Sequence, residues 1–139
     1  MEQVRRFFFY LYVIALLCIG GSGLFIAPWE LRRVFQIDLS SMPALEASTV
    51  VNQYRFLKGI EFAAGFICWR WRLQIFSTPE SRLSFLVIVW AGVLGRLLSL
   101  FIDGPPSVAF IAFLVIEALT GVLMSSSFPH AIQGDTSHA

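Results

Sequence analysis

The sequence predicts an all-α membrane protein: four transmembrane helices form a bundle, with a short interfacial helix between the first and second spans. Three observations support this prediction. The chain of 139 residues is 57% apolar, whereas soluble domains are about 45–50% apolar. Its mean hydropathy is +0.74. Its apolar residues are gathered into four stretches of about 20 residues, the length that crosses the hydrocarbon of a bilayer as a helix.

The first predicted span, Phe7–Ala27, holds no charged residue and follows two arginines. Its length, together with the spans that come after it, favours a retained membrane helix over a cleaved signal peptide. Pro28 then suits the first turn of a new helix. The segment 29–35 carries a tryptophan and two arginines, which are typical of the headgroup level of a membrane. We therefore predict a short interfacial helix there.

Turn signals separate the later spans. The second helix is expected to begin near Ala44, outside the hydrocarbon. Residues Asp103–Ser107 contain two prolines and a glycine, so they predict a tight turn between spans three and four. The spans themselves are predicted over roughly Val50–Trp69, Leu83–Ile102 and about Val108–Ser127. The membrane domain thus covers residues 1–127, and residues 128–139 form a polar cytoplasmic tail.

Small residues spaced four apart predict where helices approach each other. Gly59 and Ala63 form one such pair, and Ala91 and Gly95 form another. We expect both pairs to pack inside the bundle, because their helices also carry charges that need internal partners. Three glycines late in the first span allow close packing there as well.

The arginines predict the orientation of the chain. With four spans, the N-terminus, the second loop and the tail share one side of the membrane. That side holds Arg5, Arg6, Arg70, Arg72 and Arg82, whereas the loops of the other side hold Arg32 and Arg33. By the positive-inside rule, both termini of this multi-pass membrane protein are cytoplasmic.

Charged residues inside the later spans predict a polar pocket. They are Arg55, Lys58, Glu61, Arg96, Asp103 and Glu117. The second span has eight Leu, Ile, Val and Phe residues, worth about −2.4 to −4.8 kcal/mol on an insertion scale, which does not offset three charges facing lipid. Helical phase and depth bring the charges together in an outward-facing pocket between spans two, three and four. The simplest pairing is Arg96 with Glu117, and Arg55 or Lys58 with Glu61.

Several function classes lack their sequence signals. There is no Gly-rich phosphate loop, no nucleophile motif and no Cys/His metal spacing, so we predict no catalytic residue, cofactor or metal. His130 and His138 are interpreted as part of a solvated tail. The net charge of +1, with no basic patch, excludes nucleic acid as a partner.

Three segments resemble a known family. Asn52–Gly59 resembles its N-x-(x)-R-F-L-x-G signature, Gly92–Ser99 with Asp103–Pro106 resembles its GGxxRLLSxxxxGxP block, and Ile116–Leu119 resembles its xELx motif. The family is the bacterial domain-of-unknown-function family 4345, and the resemblance spans about residues 7–127. It implies a small four-helix protein of the bacterial inner membrane and no activity, because the family is uncharacterised. Its polar motif positions correspond here to Asn52, Arg55, Arg96, Ser99 and Glu117.

The predicted polar cluster has three interpretations: a scaffold that fixes the bundle, a ligand or ion site, and, least favoured because no nucleophile or metal accompanies the carboxylates, a catalytic site. It comprises Asn52, Arg55, Lys58, Glu61, Arg96, Ser99, Asp103 and Glu117. We predict a non-enzymatic membrane protein whose pocket takes a lipid head group, a small amphiphile or a partner helix. The alternative is a proton-coupled transporter or channel using Glu61 and Glu117. Four helices without an inverted repeat are few for alternating access, so that alternative needs a homo-oligomer or a partner membrane protein.

Overall fold

The computed structural model describes residues 1–126, which are helical apart from short connections and contain no strand. The elements are α1 (Glu2–Arg33), a 3-10 turn (Leu39–Ser41), α2 (Ala44–Arg70), α3 (Arg72–Ser77), α4 (Pro79–Ile102) and α5 (Val108–Ser125). Helices α1, α4 and α5 are long and apolar enough to cross a membrane. The all-α prediction is confirmed, and three of the four predicted spans meet this criterion. The predicted tail, with His130 and His138, lies outside the described residues.

Helix α1 is longer than predicted and is bent. Ile26 leaves the helical conformation, with φ −107° and ψ 23°. Pro28 explains the bend, because it lacks an N–H and its ring crowds the carbonyl of Leu24 one turn earlier. The helix then continues to Arg33. The predicted interfacial helix is therefore the last part of α1 after the bend, and not a separate element.

Helix α3 is an element that the sequence did not predict. It is a short helix between α2 and α4, and its Ile75 is buried. Arg82 of α4 donates hydrogen bonds back to the carbonyls of Ile75 and Phe76, at 3.3 and 3.0 Å. These bonds satisfy carbonyls at the end of α3, which have no partner within so short a helix. They also fix the direction in which α4 leaves the turn.

Helix α1 is the centre of the fold. It packs along α2 and against α5, while α4 packs against α5 and α3. The buried core gathers around the N-terminal half of α1, where Phe9 contacts the rings of Phe76 and Phe85 at 5.0 and 5.1 Å between centroids. Helix α2 packs little against α4 or α5. A groove therefore remains between α2 on one side and the α4–α5 pair on the other.

Two glycines explain why α1 and α2 approach so closely. A Cβ placed on Gly20 would lie 2.6 Å from the backbone nitrogen of Phe62. A Cβ placed on Gly65 would lie 2.9 Å from the Cβ of Leu16. Any larger side chain at these two positions would push the helices apart, so Gly20 in the first span and Gly65 in the second both provide close packing.

The two predicted small-residue pairs do not pack in this way, and that prediction is wrong. A Cβ on Gly95 would meet no atom within 4 Å, and one on Gly59 would meet only Leu24, at 3.7 Å. Ala63 and Ala91 are both exposed. The spacing alone did not identify the helix contact, because a small residue is needed only where another backbone comes close.

Candidate functional site

The groove between α2 and the α4–α5 pair is the principal candidate site. Its volume is about 410 Å³, and Tyr12 and Leu16 of α1 contribute to its base. The walls are apolar for most of their length. The wall residues include Leu57, Ile60 and Ala64 of α2, Ile88, Ala91, Gly92 and Gly95 of α4, and Phe110 of α5. The sequence predicts a pocket between spans two, three and four, and the structure adds the contribution of α1.

An ion pair joins α4 to α5 inside this groove, as the sequence predicted. The Nε of Arg96 donates to Oε2 of Glu117 at 2.8 Å, and its Nη2 donates to Oε1 at 3.4 Å. The rings of Phe110 and Phe113 lie 5.5 and 5.6 Å from the guanidinium carbon. Gly92 leaves room for the carboxylate, since a Cβ there would lie 3.3 Å from its Oε1. The pair is held on several sides, which fixes the orientation of the guanidinium.

A second ion pair lies on the α2 side of the groove. The Nζ of Lys58 donates to Oε2 of Glu61 at 2.7 Å, and the lysine side chain is 5% exposed. Between the two alternatives for Glu61, the structure therefore has Lys58 as its partner. Gly23 of α1 makes room for this lysine, because a Cβ there would lie 2.5 Å from the lysine Cγ. The ammonium also lies 5.2 Å from the ring centroid of Tyr54.

The other four members of the predicted polar cluster lie outside the groove. Asn52 and Arg55 are exposed and line a separate shallow depression on α2, with Ser48. Ser99 donates a hydrogen bond to Asp103 at 2.8 Å at the exposed end of α4. That bond lies beside the predicted tight turn, in which Gly104 has a φ of +95°. The groove thus brings together four of the eight predicted residues.

A third carboxylate lies beside the groove, and sequence reasoning missed it. Glu30 is 7% exposed. Its Oε1 accepts from the hydroxyl of Ser22 at 2.8 Å, and its Oε2 accepts from the hydroxyl of Tyr54 at 2.7 Å. Helical phase could have found it, because Gly20, Gly23, Ala27 and Glu30 follow one another on one buried face of α1. The predicted break at Pro28 assigns Glu30 to a separate interfacial helix, and the buried face is then not recognised as continuous.

Tyr12 is a second feature that sequence reasoning missed. The residue is 4% exposed and lines the base of the groove together with both ion pairs. Its ring packs on Phe85 at 6.1 Å between centroids. Within residues 1–126 its hydroxyl has no hydrogen-bond partner. The groove therefore contains a hydroxyl group without a partner among the described residues, and this group is available to a ligand.

A comparison with known proteins places the chain in a family. The family described as Domain of unknown function (DUF4345) matches residues 4–126. The chain belongs to the DUF4345 family. No curated protein and no solved structure matches it significantly. The resemblance in the sequence motifs thus identified the correct family, which carries no assigned activity.

The structure separates the motif positions of this DUF4345 protein into two groups. Arg96 and Glu117 meet in the groove. Asn52, Arg55 and Ser99 are exposed, and they lie on faces that the groove does not include. The arrangement in the groove can bind and orient a polar group, since it offers charged donors and acceptors among apolar walls.

Proposed function

We propose that this protein is a four-span inner-membrane protein, with both termini cytoplasmic, whose groove binds one small amphiphile. The polar head lies at the two ion pairs, and the apolar chain lies along the groove wall. The proposal rests on one observation: a groove of about 410 Å³ with apolar walls holds both ion pairs, Arg96–Glu117 and Lys58–Glu61. Ligand sites are typically about 300–1,000 Å³, mostly apolar, with a few polar groups that set orientation.

The length and the charges of α2 support its role as a membrane span, the second in chain order, in addition to α1, α4 and α5. The helix has 27 residues, or about 40 Å at 1.5 Å per residue, which exceeds the hydrocarbon thickness of a bilayer. Two of its charges, on Lys58 and Glu61, neutralise each other within the groove. Arg55 is exposed, and its long side chain can reach the headgroup level from the outer half of the helix. Each charge then has a partner or a path to water.

An amphiphile fits the groove better than a purely polar solute. The α2 wall offers Leu57, Ile60 and Ala64, and the α4 wall offers Ile88 and Ala91. A water-soluble ligand would leave these walls without a complementary surface, whereas an alkyl chain gains about 0.8 kcal/mol per CH₂ group that it buries from water.

The ion pairs give less support to a proton-coupled carrier. Glu61 and Glu117 each accept a hydrogen bond from a basic partner. A carrier would have to break these pairs in every transport cycle, which leaves unpaired charges inside the membrane. Binding requires no such cycle, so it is the simpler use of this geometry.

Native mass spectrometry of the protein in maltoside micelles tests the proposal. We expect wild type to carry one amphiphile per chain. Gly95→Leu should abolish that adduct, because the new side chain would extend into the open space beside Gly95. The protein should remain at least as stable, since glycine costs about 1 kcal/mol in a helix relative to alanine. The matched control is Ala112→Leu, which adds bulk at an exposed position of α5 outside the groove.

The outcomes are distinct. Loss of the adduct in Gly95→Leu alone supports binding in the groove. Equal retention in wild type and both variants would show that the bound molecule lies elsewhere. A wild type that carries no adduct, even after incubation with excess lipid extract, would overturn the proposal. Uptake of protons on reconstitution into vesicles with a pH gradient would favour the carrier instead.

A further inference from the structure

The buried charges around the groove do not balance. Lys58 and Arg96 contribute two positive charges, each already in an ion pair with a carboxylate. Glu30 adds a third carboxylate beside them, and it forms no ion pair within residues 1–126. Its two hydrogen bonds come from neutral hydroxyl groups. The buried and half-buried side chains around the groove therefore hold one more acid than base.

This excess acid lies next to the lysine of the groove. A Cβ on Gly23 would lie 2.5 Å from Cγ of Lys58 and 2.8 Å from Oε2 of Glu30, so both side chains reach the same small space. Tyr54 links them further, since its hydroxyl donates to Glu30 and its ring lies beside the lysine ammonium. Lys58 thus lies close to the carboxylate of Glu30 and is bonded to that of Glu61.

We propose that the groove selects an amphiphile with one primary ammonium head group. This inference rests on the proposed function and specifies the charge of the ligand's head group. An isolated buried charge is costly, and a bound cation would remove the imbalance. The ammonium binds Glu61, and Lys58 turns towards Glu30 across the space that Gly23 leaves open.

The base of the groove supplies a second, independent reason for a polar head at this place. Tyr12 is buried, and its hydroxyl has no partner among the described residues. In the groove, Oε1 of Glu61 likewise accepts no hydrogen bond, because Lys58 bonds to Oε2. A primary ammonium has three N–H donors, and these two oxygens can accept two of them. A carboxylate head would instead add a fourth acid beside the two bases, and a hydroxyl head would leave the charge imbalance in place.

The test uses three probes that differ only in their head group. Dodecylammonium, dodecanol and dodecanoate are compared at equal mole fraction in maltoside micelles at neutral pH, with binding measured by native mass spectrometry. We expect dodecylammonium to bind about tenfold more tightly than dodecanol, and dodecanoate to bind least. Glu30→Gln should lower the ratio of cation to alcohol affinity by about tenfold. Glu46→Gln removes the same charge at an exposed site on α2 and should keep the ratio.

Failure of this inference can be told apart from failure of the proposed function. Equal binding of the cation and the alcohol, both abolished by Gly95→Leu, would overturn the charge selection and leave the binding groove intact. Preference for dodecanoate would overturn the selection as well. No binding of any probe to wild type would overturn both. If Glu30→Gln does not fold, Glu61→Gln serves instead, and an unchanged ratio in that variant refutes the proposed position of the ammonium.

Discussion

The pair of Arg96 and Glu117 should behave as one electrostatic unit, so that removing one partner costs more stability than removing both. The bonded atoms are 2.8 and 3.4 Å apart, and the side chains are 24% and 8% exposed. Two unit charges about 4 Å apart attract by about 4 kcal/mol at an effective dielectric constant of about 20. Breaking a buried pair from one side costs about 3–5 kcal/mol, because the remaining charge is left without its partner.

We therefore expect Arg96→Leu and Glu117→Leu each to lower the free energy of unfolding by about 3–5 kcal/mol, and the double variant to lose less than either. The assay is a dodecyl sulfate titration in maltoside micelles, followed by circular dichroism. The control cycle pairs Ser99→Ala with Asp103→Ala, an exposed hydrogen bond whose coupling should be about 1 kcal/mol or less. Additive losses for Arg96 and Glu117 would refute the reasoning.

Three further predictions concern the rest of the chain. With the native cysteines replaced, a cysteine at Ser126 should resist labelling from outside intact cells, and efficient labelling there would reverse the proposed orientation. Gly20→Ala should lower the free energy of unfolding by about 1–3 kcal/mol, because its Cβ meets the backbone of α2, whereas Gly21→Ala meets only a flexible side chain and should be tolerated. The hydroxyl and amide of Ser40 hold the pKa of Asp38 below its usual 3.8. Their stabilising effect on the 3-10 turn is present above that pH and is lost as pH falls through the lower folded-state value. An NMR titration midpoint for Asp38 at or above 3.8 would contradict this.

The sequence predicted those features that depend on local pattern. Apolar length alone located α1, α4 and α5. The pair of Arg96 and Glu117 could be predicted because a short turn, Asp103–Ser107, makes α4 and α5 antiparallel neighbours, and helical phase then sets which faces meet. For adjacent helices, the connection leaves few arrangements open.

The sequence did not predict how distant elements pack. The contact at Gly20 and Gly65 depends on which helices are neighbours, and small residues also occur at Gly95, where nothing packs. The same reason hid Glu30, whose partners come from α2 and from an earlier turn of α1. The sequence also predicts a new helix beginning at Pro28. With that break, the buried face of α1 that includes Glu30 cannot be recognised as continuous.

A density map of the purified protein in lipid nanodiscs would test the central claim most directly. The account predicts elongated density in the groove, with its head beside Glu61 and Tyr12 and its tail between Leu57 and Ile88. The Gly95→Leu protein, prepared in the same way, should show the same bundle without that density. A groove that is closed by contact between α2 and α4, or that holds only separate water-sized peaks, would contradict the account.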